Sequence, residues 1–146
     1  MDLSGKRILC VEDHEDTCAY LRVLLSNLQV VTASTLAEGI HLAQSQRFNL
    51  YLLDMFLPDG NGITLCQQLR RFDLKTPILF CSADASQTAY DQAMQAGAQV
   101  YLNKPVDPFL LRQAIEELLQ GGKHPDPLPQ PSQAMQRLRW TNRSQR

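Results

Sequence analysis

Short apolar runs alternate along this chain with longer segments in which apolar residues return every three or four positions. Arg7-Ile8-Leu9-Cys10-Val11 is the first run, too short for a helix with its own stripe and of strand length. Cys18, Leu21, Val23, Leu24, Leu25 and Leu28 then recur at near-helical spacing. Glu15 and Asp16 stand at the start of that segment, where a carboxylate suits the helix dipole. Val30-Val31-Thr32-Ala33 reads as a second strand. The helix after it carries Leu36, Ile40, Leu42 and Ala43, with Ser34 or Thr35 as its cap and Glu38 as a capping-box partner. Leu50-Tyr51-Leu52-Leu53 is a third strand, ended by Asp54 and a loop punctuated by Pro58, Gly60 and Gly62. Asn61-Gly62 leads into a helix with Ile63, Leu65, Cys66 and Leu69. Pro77 to Cys81 is a fourth strand, with proline at its first position, where the missing N–H is tolerated. Ser86 to Ala96 is a helix closed by Gly97, and Gln99 to Leu102 is a fifth strand. Phe109, Leu110, Leu111, Ala114, Ile115, Leu118 and Leu119 make the apolar face of a last helix, stopped by Gly121-Gly122.

Five strands alternating with five helices predict an α/β fold, a parallel sheet covered on both faces through right-handed crossovers. Residues 1–122 form this domain and residues 123–146 a separate tail. The division is also one of charge. The first part holds nine basic and fourteen acidic side chains, net −5; the tail holds five basic and one acidic, net +4. Pro125, Pro127, Pro129 and Pro131 favour an extended spacer, and Ser132 can cap a short helix with Ala134, Met135 and Leu138 beside Arg137, Arg139 and Trp140. So short a helix is marginal alone, so the tail is expected either to stay unfolded or to act as a basic, aromatic-tipped docking arm. It is too short for a DNA-binding domain.

Composition excludes several classes. No apolar run reaches the ~18 residues of a membrane span and no export leader is visible, which points to the cytoplasm. Cys10, Cys18, Cys66 and Cys81 show no C-x-x-C or metal-ligand spacing and read as reduced thiols. Cys10 and Cys81 would lie two strand spacings apart, too far for a disulfide. Motifs for nucleotide hydrolysis, acyl transfer and dithiol redox are absent.

The chemistry stands at the strand ends. Glu12 and Asp13 follow the first strand, Asp54 the third, Ser82 the fourth and Lys104 the fifth. In a doubly wound sheet these positions converge on one edge. Each alone has a bland reading, a solvated acidic loop or a Lys-Pro turn; the whole ordered set does not. Three converging carboxylates repel one another, a conflict that a hard dication such as Mg²⁺ removes. A carboxylate nucleophile, a metal that neutralises phosphoryl charge and a cationic partner are the parts needed to move a phosphoryl group onto Asp54. His14 is expected to be a solvated loop residue or, less plainly, a modulator of the acid site; His41 and His124 lack ligand partners.

The ordered set Glu12-Asp13, Asp54, Ser82 and Lys104-Pro105, with the loop Asp54 to Gly62, resembles the response-regulator receiver domains of two-component signalling across residues 5–121. The resemblance implies a flavodoxin-like (βα)5 sheet of order 2-1-3-4-5. It implies Asp54 as phosphoacceptor for a histidine kinase or phosphotransfer protein. The ligands of Mg²⁺ or Mn²⁺ would be Glu12, Asp13, Asp54 and the backbone carbonyl of Phe56, with Glu12 a variant of a commoner Asp. Ser82 and Lys104 would bind the phosphoryl group, and Tyr101 would be the aromatic switch whose ring turns inward. Phe56 and Asp84 occupy the positions that tune phosphoryl lifetime, and a bulky Phe56 suggests a long one. Signalling is expected through the face of the fourth helix, fifth strand and fifth helix, to a protein target or a second copy in a homodimer. Such a domain turns itself over only stoichiometrically and is not an enzyme. The competing expectations are a phosphotransferase or phosphatase in its own right, and an adaptor that docks without phosphorylation.

Overall fold

A computed structural model describes residues 2–121, and the proline-rich and arginine-bearing segment lies outside the described residues. Its five long strands are β1 (Arg7–Val11), β2 (Gln29–Ala33), β3 (Leu50–Leu53), β4 (Ile78–Ser82) and β5 (Val100–Asn103). They pair in parallel in the order β2-β1-β3-β4-β5, as expected for the flavodoxin-like arrangement. The five helices are α1 (Glu15–Leu24), α2 (Leu36–Ser45), α3 (Gly62–Arg70), α4 (Gln87–Ala96) and α5 (Pro108–Leu119).

Alternation along the strands sorts the core into two layers. Leu9, Val11, Leu53 and Phe80 face Ala43 of α2, Leu65 and Leu69 of α3, and Ala89, Tyr90 and Ala93 of α4. Ile8, Leu50, Leu52, Leu79 and Leu102 face Leu21 of α1 and Leu111, Ala114, Ile115 and Leu118 of α5. Two apolar residues assigned to helix faces point to solvent instead, Val23 at 76% exposure and Phe109 at 72%. Val23 lies two residues after buried Leu21, about 200° around the helix, so the two cannot share a face. Phe109 precedes buried Leu110 in the first turn of α5, about 100° away from it around the helix.

Caps fix where each helix begins. Thr35 accepts from the Glu38 amide at 3.0 Å, and the Glu38 carboxylate reaches the Ser34 amide at 2.9 Å, a reciprocal box shifted one residue upstream. Asn61 caps α3 on the Thr64 amide, and Ser86 caps α4 on the Ala89 amide. Asp107 caps α5 on Phe109 and Leu110, with Pro108 at the first helical position. The loop after β3 folds into a two-residue ladder, Phe56–Leu57 against Gly60–Asn61. From it Asp59 accepts from the amides of Leu36 and Ala37 at 2.8 and 3.0 Å and so ties the loop to the start of α2. The Lys104-Pro105 peptide is cis. No helix among the described residues is long and apolar enough to cross a membrane, and all four cysteines are free thiols.

Candidate functional site

Register assembles the site at the carboxyl edge of the sheet. Val11 pairs with Leu53, so the residues that follow, Glu12 and Asp54, emerge side by side; Ser82 pairs with Asn103, so Lys104 emerges next to them. The Asp54 amide donates to Val11 and the Lys104 amide to Ser82, which pins both at their strand ends. Glu12 and Asp54 are 4% and 6% exposed, unusual for acids unless they are paired. Lys104 Nζ supplies the pairing, 3.0 Å from Glu12 Oε1 and 3.3 Å from Asp54 Oδ1. Asp54 Oδ1 also accepts from the Met55 amide at 2.8 Å, while among the described residues nothing bonds Asp54 Oδ2.

The protonation pattern follows from this packing. Burial and the neighbouring Glu12 charge push the Asp54 carboxyl up, partly offset by Lys104. Burial also works against Glu12, but hydrogen bonds from His14 and Lys104 outweigh it and hold Glu12 below its ordinary value. Lys104 is lowered by burial and raised further by Asp54 and Glu12, so its charge is secure. Glu12 therefore carries the settled negative charge and Asp54 the strain of crowding.

Asp13 and His14 lie at the open side. His14 Nδ1 is 3.1 Å from Glu12 Oε2 and 3.4 Å from Asp13 Oδ1, and the His14 amide also bonds Glu12. Donor atoms of Glu12, Asp13, His14 and Asp54 all lie within 4.8 Å of one another. Two buried carboxylates and an exposed one gathered so closely fit a hard dication.

Ser82 is fully buried, and its hydroxyl accepts from the Asp84 amide at 2.9 Å. The Asp84 carbonyl accepts from the Tyr101 hydroxyl and from Asn103 Nδ2. Residue 84 thus joins Ser82 to β5 through its main chain. Its carboxylate turns the other way, onto the Ser86 amide at 2.9 Å. The expected aromatic switch is already inward: Tyr101 is fully buried, stacked on Phe80 and edge-on to Tyr90. Phe56 is 57% exposed and shares with Asp84 a groove of roughly 700 Å³ between α3 and α4. Sequence reasoning did not single out Asn103, Tyr90 or the main chain of residue 84. Only Asn103, directly before Lys104, had a position that could have drawn notice.

The model of the response regulator receiver domain matches residues 8–116. Curated relatives include the response regulator protein PilR of Pseudomonas aeruginosa, 33% identical over 81% of this chain and 27% of that protein. The alkaline phosphatase synthesis transcriptional regulatory protein PhoP of Bacillus subtilis is 32% identical, over 80% and 49%. The chain thus spans at most about half the length of these two relatives. Among solved structures, a CheY-like receiver domain protein of Methanospirillum hungatei matches with a TM-score of 0.77 at 30% identity, over 81% of this chain and 96% of that one. The non-phosphorylated HemR receiver domain of Leptospira biflexa matches at 0.74 and 30%, over 79% and 94%.

Proposed function

Because the chain belongs to the response regulator receiver domain family, we propose that it accepts a phosphoryl group on Asp54 and relays that event, in the cytoplasm, to a protein partner. Receiver domains are signalling proteins rather than enzymes in the ordinary sense, and the donor here would be the phosphohistidine of a sensor kinase or phosphotransfer protein. The observation that carries this reading is the pairing of Asp54: Oδ1 is held by Lys104 and the Met55 amide, and among the described residues nothing bonds Oδ2, the oxygen that would attack.

Glu12, Asp13, Asp54 and the Phe56 carbonyl would hold Mg²⁺ or Mn²⁺, which when bound neutralises phosphoryl charge. Asp54 Oδ2 bonds to phosphorus as the phosphorus–nitrogen bond of the donor breaks, and the imidazole leaves with its electron pair and takes up a proton. The new dianion draws Lys104 Nζ from Asp54 Oδ1 onto a phosphoryl oxygen. The Ser82 hydroxyl can donate its O–H to the same group while its oxygen still accepts from the Asp84 amide, so a turn of Ser82 toward the phosphoryl group pulls on residue 84. Movement of residue 84, whose carbonyl holds Tyr101 and Asn103, would repack the α4–β5–α5 face and change its affinity for a target, or for a second copy. Phe56 and Asp84, at the groove beside the site, set how readily water reaches the acyl phosphate. A long phosphoryl lifetime is expected, shortened in Phe56→Asn; loss within seconds that this variant does not hasten counts against it.

The test is Mg²⁺-dependent labelling by a small phosphodonor, expected in the wild type and lost in Asp54→Asn. No labelling at saturating donor and metal would indicate an adaptor that docks without phosphorylation.

A further inference from the structure

We propose that His14 is a protein ligand of the same metal site and tilts its preference from Mg²⁺ toward first-row transition-metal dications. The inference rests on the metal-binding reading above and concerns which ion the site selects. Ligands about 2.1 Å from an ion on adjacent octahedral corners are about 3.0 Å apart. His14 Nδ1 already stands at that edge spacing from Glu12 Oε2, at 3.1 Å, and near it from Asp13 Oδ1, at 3.4 Å. Its donor atom belongs to the same tight group as those of Asp54 and the two acids.

Among the described residues the ring's partners are Glu12, whose carboxylate it hydrogen-bonds in the metal-free protein, and Asp13. His14 holds the N-cap position of α1 but makes no side-chain cap, whereas Thr35, Asn61, Ser86 and Asp107 all cap their helices. The ring is 72% exposed, so no packing fixes it where it is; its neighbours there are the two acids. Oxygen donors alone suit Mg²⁺, whereas an added imidazole favours later first-row dications such as Co²⁺ and Ni²⁺. A histidine that merely bonds Glu12 would act on every dication alike, which separates the two roles.

The experiment is a calorimetric titration of the full chain with Mg²⁺ and with Co²⁺, comparing wild type, His14→Asn and Asp13→Asn, with circular dichroism confirming the fold. His14→Asn is expected to weaken Co²⁺ on the order of tenfold or more and to leave Mg²⁺ within about twofold. Pulsed electron paramagnetic resonance of bound Mn²⁺ should show coupling to an imidazole nitrogen in the wild type and none in His14→Asn. Absence of that coupling in the wild type overturns the proposal. So does an equal loss for both ions, a gain for either, or Co²⁺ binding that survives Asp13→Asn. A wild type that binds Co²⁺ with nitrogen coupling but fails to bind Mg²⁺ upholds the role of His14 and counts instead against the Mg²⁺-dependent phosphoacceptor reading.

Discussion

Asp54 stores unfavourable electrostatics in the folded state, because burial and Glu12 raise its pKa. A carboxyl whose folded pKa lies above its unfolded value near 3.9 weakens the fold at any pH above the folded value. The penalty shrinks as pH falls between the two values and vanishes below the unfolded one. In metal-free buffer, Asp54→Asn should therefore melt above the wild type at pH 7, with the gap closing toward pH 4; a lower melting temperature at pH 7 would show that Lys104 more than repays the burial. Gly62 is constrained more sharply. A Cβ there would stand 2.4 Å from the Asp54 carbonyl oxygen and 2.6 Å from the Phe80 ring. Gly62→Ala should improve helix propensity yet lose roughly 1–3 kcal/mol by overpacking, read from urea unfolding. The displaced Phe80 would carry the disturbance into Tyr101, on which it stacks.

At the scale of elements, helix starts depend on single side chains. Asp107→Ala removes the acceptor for two amides of α5 and should lower stability by about 1 kcal/mol in equilibrium denaturation. An unchanged midpoint would mean that Pro108 alone sets the start of α5. The strands were legible because parallel strands buried on both faces read as short apolar runs, and each ended where the chemistry began. The helices were legible as stripes but not as exact faces: Val23 and Phe109 are apolar by type and exposed by angle. The tie from Asp59 to Leu36 and Ala37 was not legible, since it crosses a distance in sequence that no local pattern encodes. The five strand-end residues could be read because each is chemically distinctive. The bridge from Ser82 to Tyr101 could not, because main-chain groups of residue 84 make it.

For the whole molecule, the sheet separates two apolar layers. Leu69 packs in the layer of α2, α3 and α4, and Ile115 in the layer of α1 and α5. Leu69→Ala should cost about 2–5 kcal/mol and Ile115→Val about 0.5–1.5 kcal/mol. The double variant should show the sum within about 0.5 kcal/mol, since the residues share no partner. A larger discrepancy in the denaturation midpoints would reveal strain transmitted through the strands. The site lies at the carboxyl edge of the sheet, between the two layers.

Wiring through residue 84 has a consequence for how such a molecule can diversify. Its amide and carbonyl are common to every residue but proline, which lacks the amide, so heritable change in the side chain at 84 leaves the connection between Ser82 and β5 intact. A side chain can change there generation by generation while the main-chain link from Ser82 to Tyr101 and Asn103 stays in place.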